Sequence, residues 1–192
     1  MRLSDYEFLS AGFRHILGTS DLYSTLTGLV RAAANAVGSE SGSLYLLNKR
    51  TGVLEPYILV NFPDDYLAGC SAVPLGTQCC GRAALHKMPW IVEDMWTDPL
   101  FADCREAARR SGMRSGFSVP VLAANGDCLG ALGCQFTDRY SPDSYAIERN
   151  KLFAQLIAFA IARDSTLKHK KAAASMSSDA TEDIHDEPAA AD

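Results

Sequence analysis

No run of about 20 apolar residues occurs in this chain, so no segment of it is long enough to cross a bilayer as a helix. A positive surplus is also missing. The 18 Lys and Arg face 23 Asp and Glu, a net charge of −5, which offers a polyanion such as nucleic acid no basic face. Six of the acids (Asp179, Glu182, Asp183, Asp186, Glu187, Asp192) lie between Ala172 and Asp192, where there is no Lys or Arg; without them 17 acids balance 18 bases. Close cysteine pairs of the Cys-x-x-Cys kind are absent, so no metal site is expected. The first ten residues, MRLSDYEFLS, carry acids where a secretory leader needs an apolar core. The expected location is therefore cytoplasmic, with the cysteines as reduced thiols. Nothing in the sequence requires a cofactor.

What is present is an ordinary globular composition, 47% hydrophobic and 21% charged. Phe8, Leu9, Phe13, Ile16 and Leu17 have helical spacing, followed by Gly18 as a stop. Ser20 is the expected N-cap of a second helix with Leu22, Leu26, Leu29, Val30, Ala33 and Val37 on one face. Strands are predicted over 43–47 and 53–60, with a short extended piece at Cys70 to Val73. A short helix follows over 79–86, then a strand over 90–92 and a helix over 101–111. A hairpin over 115–122 and 128–136 turns at Asn125-Gly126-Asp127. Ser141 before Pro142 predicts the cap of a last helix ending near Leu167. The class is α+β: a central antiparallel sheet with helices packed on it and helices at both ends. The chain divides into an N-terminal helix in 1–19, a folded domain in 20–167 and a disordered acidic tail in 168–192.

Several segments, in order, resemble a GAF domain: SGSLYLLNKRTGVLEP, VPLGTQCCGRAA, WIVEDMWTDPLF, GMRSGFSVPV, NGDCLGALGCQF and the final helix. The resemblance covers about Asp21 to Arg163. It implies a stand-alone sensory or regulatory module with a pocket between the sheet and the strip from Val73 to Ser111. By that resemblance the ligand-binding candidates are Cys80, Trp96, Phe101, Arg114, Phe117 and Gln135, with Trp90 beside them. Arg114 is also placed to pair internally with Asp94 or Asp98. The Cys-His pair that tethers bilins in photoreceptor members is missing, because Arg105 follows Cys104. An NKFDE-like cyclic-nucleotide signature is missing too. The partners implied are a small-molecule ligand, a second copy of the chain through the terminal helices, and a signalling protein.

One enzyme branch of the fold, the free methionine-R-sulfoxide reductases, is similar in its cysteines. Cys70, the Pro74 to Gly76 turn, Cys80-Gly81 ten residues after Cys70, and Cys104 a further 24 on repeat its spacing. That likeness implies Cys104 as nucleophile and Cys70 or Cys80 as resolving thiol, through a sulfenic acid. The acids with which the branch holds its substrate are replaced here by Gly116, Gly133 and Gln135. An amino-acid ammonium would enter such a pocket without counter-charges. Two readings follow: a sensor that binds a small molecule or reads thiol state, and a thiol-dependent reductase. Cys128 and Cys134, six apart on one predicted strand, are expected to share a face and to serve packing.

Overall fold

The computed structural model describes Ser10, Ile16, residues 21–70 and residues 72–182, with side chains through Thr166. The helix expected over 1–19 lies outside the described residues except at Ser10 and Ile16. In chain order the elements are α1 (Leu22–Asn35), β1 (Ser41–Asn48), β2 (Val53–Val60), α2 (Asp64–Gly69), β3 (Val73–Pro74), α3 (Gln78–His86) and β4 (Trp90–Val92). A 3-10 turn (Pro99–Cys104), α4 (Arg105–Arg110), β5 (Ser115–Leu122), β6 (Cys128–Phe136) and α5 (Ser144–Glu182) complete it. The strands form one antiparallel sheet in the order β3-β2-β1-β6-β5-β4.

Period-two alternation decides what each face of the sheet buries. Phe117, Val119 and Val121 of β5, with Leu132 and Cys134 of β6, join Leu44 and Ile58 under α1 and α5, against Leu26, Leu29, Phe153 and Ile157. The intervening residues face α3 instead. There Tyr45, Leu54, Val73, Cys80, Ala84 and Ala131 form a second cluster. A third lies under the strip from α2 to α4, with Tyr66, Cys70, Met95, Phe101, Cys104 and Met113 at its centre.

Five sequence expectations shift. The cap of α1 is Asp21, whose Oδ2 accepts from the Ser24 amide at 2.8 Å, not Ser20. The cap of α5 is Asp143, accepting from the Ala146 amide at 2.7 Å, so Ser141 and Pro142 precede the helix. The helix expected over 101–111 begins as 3-10 at Pro99, because Asp98 caps the Leu100 amide and Pro99 occupies the first turn. Cys128 and Cys134 fall in different clusters, since the β5–β6 register slips between Val121 and Leu122 and one extra residue reverses the alternation. The backbone of α5 is helical beyond Leu167, through the alanine run at 172–174, alanine being the strongest helix former.

Gly81 sets how α3 sits on the sheet edge. A Cβ there would run into the Pro74 carbonyl oxygen and lie 3.1 Å from Val73 Cγ1. Gly81→Ala is expected to destabilise the fold by about 1–3 kcal/mol, read as a lower urea midpoint at unchanged m-value. An unaltered midpoint would mean that α3 does not rest on β3.

Candidate functional site

Cys70 is the residue that ends α2, and Cys104 closes the 3-10 turn before α4. The two helices approach closely at Gly69, where a Cβ would come within 2.7 Å of Ala107 Cβ. That approach sets Cys70 Sγ 3.9 Å from the Cys104 carbonyl oxygen and Cys104 Sγ 3.6 Å from the Gly69 carbonyl oxygen. Cys104 Sγ also accepts from the Gln78 side-chain amide, Nε2 to sulfur 3.1 Å. The Cys70 hydrogen bond holds the Cys104 thiol below the ordinary thiol range, against the opposing effect of burial. Cys70 is pushed up, first by donating to Cys104 and then by burial. Of the two sulfurs, Cys104 is the one that receives an N–H donor, from Gln78. All six cysteines are free and buried.

Beside the pair is a cavity of about 10 Å³, lined by Tyr45, Tyr66, Val73, Gln78, Cys79, Cys80, Met95, Phe101 and Gln135. That is room for about one water molecule. Cys80 Sγ lies 3.1 Å from Ser118 Oγ, and burial pushes its thiol up to about 11 despite the Ser118 and Ser43 hydroxyls. Gln135 Nε2 donates weakly to Ser43 Oγ at 3.5 Å. Gln135 Oε1 is buried with no hydrogen-bond partner among the described residues. None of the lining residues is charged. The places where the reductase-like pattern would put acids are already filled. A Cβ at Gly133 would meet Ser43 Oγ at 2.8 Å and Cys80 Sγ at 3.1 Å, and one at Gly116 would meet Met95 Cε at 2.9 Å.

Of the six ligand-binding candidates, Cys80, Phe101 and Gln135 line this cavity; Trp96, Arg114 and Phe117 do not. Phe117 is in the core under α1 and α5, where it packs against Phe136 and Tyr140, because alternation along β5 turns it to that face. Trp96 donates its indole N–H to the Met113 carbonyl at 2.9 Å and carries the Arg114 guanidinium 4.2 Å above its ring. Arg114 pairs with Asp94 at 3.2 Å, and Arg139 joins the same carboxylate at 2.6 Å. Burial would raise the Asp94 carboxyl, but hydrogen bonds from both arginines outweigh it and hold the group below its usual range. Trp90 stacks on His86 at 5.1 Å. Among the described residues no cluster of His, Cys, Asp and Glu could hold a metal ion.

Sequence reasoning did not find Gln78, Tyr45, Tyr66 or Met95. Tyr45 could have been found from the alternation of β1. Gln78 carried no signal: its φ of 48° is left-handed, and nothing around it in the sequence marks that. It is held there by Arg82, whose Nε donates to the Gln78 carbonyl while Nη2 bonds Asp98 Oδ1 at 2.7 Å.

A GAF domain family model matches residues 21–161. No curated protein sequence matches the chain. Among solved structures, the GAF domain of an Acinetobacter phosphoenolpyruvate-protein phosphotransferase is 16% identical, with a TM-score of 0.69 over 88% of this chain and 99% of that one. The free methionine-R-sulfoxide reductase of Neisseria meningitidis, solved with its substrate, is 18% identical, with a TM-score of 0.65 over 83% of this chain and 91% of its own. A methyl-accepting chemotaxis protein fragment is 20% identical, with a TM-score of 0.62 over 82% and 98%. At these identities the likenesses establish the fold.

The Arg82–Asp98 pair is mostly buried, with 8% and 17% of the two side chains exposed. Removing one partner leaves a poorly solvated charge. Arg82→Met is expected to cost about 3 kcal/mol of stability, and Asp98→Asn in the same chain should recover part of it. Additive single losses in a double-mutant cycle would show that the two groups are not coupled.

Proposed function

Since the chain belongs to the GAF domain family, we propose that it is a regulatory module whose Cys70 and Cys104 thiols read oxidation state. The observation that carries this reading is the close approach of the two residues, Cys70 Sγ lying 3.9 Å from the Cys104 carbonyl oxygen, with the Gln78 amide donating to Cys104 Sγ at 3.1 Å. A thiolate attacks an electrophilic oxygen, and the sulfenic acid so formed is captured by the neighbouring thiol as a disulfide. The bond would fasten the end of α2 to the start of α4. The output is carried by α5, where Leu152 and Phe159 are exposed apolar residues suited to a second copy of the chain or a partner protein.

Binding of a larger metabolite has less support. Small-molecule sites usually enclose about 300–1,000 Å³; the cavity under the strip is closer to one water, and the spaces of that size, about 560 and 420 Å³, are open clefts away from the two thiols. Reduction of free methionine sulfoxide has the cysteine spacing and the Cys70–Cys104 contact in its favour. Against it stand the uncharged cavity and the filled positions at Gly116 and Gly133.

Mild peroxide treatment followed by non-reducing peptide mapping is expected to show a Cys70–Cys104 disulfide, absent in Cys104→Ser. Oxidation should accelerate as pH rises through the Cys104 thiol pKa, with an inflection below the ordinary value of about 8.5. Cys70→Ala removes the neighbouring thiol, so the inflection should move up and peroxide consumption at neutral pH should slow, while the unresolved sulfenic acid accumulates as its dimedone adduct. An inflection unmoved by Cys70→Ala would refute the shared thiolate. Turnover of free methionine sulfoxide by the wild-type chain, lost in Cys104→Ser, would favour the reductase instead.

A further inference from the structure

Resting on the Cys70–Cys104 dithiol reading, we propose that Gln78 is a specificity-determining residue that limits oxidation of Cys104 to uncharged oxidants of about the size of water, the class of hydrogen peroxide. Cys104 does not line the cavity; Gln78 does. The Gln78 side chain faces the cavity and donates through Nε2 to Cys104 Sγ at 3.1 Å, so it stands between the space and the sulfur. A guest in the cavity meets that residue next to the sulfur.

Three features define what the space accepts. Its volume of about 10 Å³ admits a water-sized guest and rejects an alkyl hydroperoxide or an amino-acid sulfoxide unless the walls part. Its lining holds no charged side chain, so an ionic oxidant would lose its hydration without compensation. Gln135 Oε1 is a buried acceptor without a donor among the described residues, on a residue only 6% exposed, and an O–H of the guest can satisfy it. Hydrogen peroxide is larger than water but the smallest peroxide, so it needs the walls to part least, and it has the neutrality and the donor.

The partition is fixed by a backbone that the sequence must hold in place. Gln78 has φ 48°, a region that costs a residue with a Cβ about 1–2 kcal/mol. Arg82 stabilises that conformation by bonding the Gln78 carbonyl while its other arm is tied to Asp98. Glycine at position 78 would adopt the same φ freely and would lack the amide, which makes it an unstrained test of the side chain alone.

The chemistry closes on the named groups. The Cys104 thiolate attacks one peroxide oxygen, the O–O bond breaks, and the departing hydroxide takes a proton to become water. The Cys70 sulfur then attacks the Cys104 sulfenic sulfur. Hydroxide leaves and combines with the Cys70 proton as a second water. The two thiols lose two electrons, and the peroxide gains them.

The test compares hydrogen peroxide with cumene hydroperoxide on the full chain, following Cys70–Cys104 disulfide formation by mass spectrometry. In the wild type the preference for hydrogen peroxide should exceed that of the urea-unfolded chain by at least about tenfold. In Gln78→Gly it should fall to near the unfolded value, and the pH inflection of the hydrogen peroxide reaction should rise because the amide donor is gone. Gln78→Asn, which also tolerates a left-handed backbone but is one carbon shorter, should give an intermediate preference and guards against a folding defect in the glycine variant. Disulfide formation with an unchanged preference in both variants overturns the filter and leaves the dithiol reading standing. No disulfide with either oxidant in any of the three chains overturns both.

Discussion

The arrangement of this site depends on one buried guanidinium. Arg82, on the inner side of α3, bonds the Gln78 carbonyl with one arm and the Asp98 carboxylate with another. The first bond holds the left-handed entry into α3. The second ties α3 to the start of the 3-10 turn, which ends at Cys104. Helix α3 carries Cys80 to the cavity, and the turn carries Cys104 to Cys70. A single side chain thus sets the spacing between the strip and the sheet, and burial makes that bond rigid because neither charge has much water to fall back on.

The cavity is small because the sequence fills it. Met95 occupies the space beside Gly116, and the Ser43 hydroxyl and Cys80 sulfur occupy the space beside Gly133. These two glycines look in isolation like room left for a guest. In the structure they are room taken by neighbours on other strands and loops. Of the polar groups that remain, Ser118 pairs with the Cys80 sulfur and Gln135 Nε2 donates to Ser43, while Gln135 Oε1 has no partner among the described residues.

Much of the fold could be read from local signals. Alternation placed β2, β4, β5 and β6 at their observed ends, and the Asn125-Gly126-Asp127 turn fixed the last hairpin. What failed locally was decided by competition between neighbours. Asp143 caps α5 in place of Ser141 because its carboxylate reaches the Ala146 amide, and Asp21 displaces Ser20 in the same way. The site was legible only in part. The spacing of Cys70, Cys80 and Cys104 marks the strip in which Cys70 and Cys104 come together, and Phe101 and Gln135 line one cavity with Cys80. Phe117 was assigned to the wrong face, and the contact between Cys70 and Cys104 depends on α2 meeting α4 at Gly69, a long-range approach that no window of sequence contains. Gln78 was illegible for the same reason: its conformation is imposed by Arg82 and Asp98, which lie on either side of a strand.

Asp94 follows β4, Arg114 precedes β5, and Arg139 lies in the link between β6 and α5. One carboxylate therefore pins three chain segments that are far apart in sequence. It behaves as a rivet: the tryptophan loop and the root of the long helix cannot drift apart without one guanidinium letting go. The same carboxylate thus serves as a common anchor for the loop and for the root of α5.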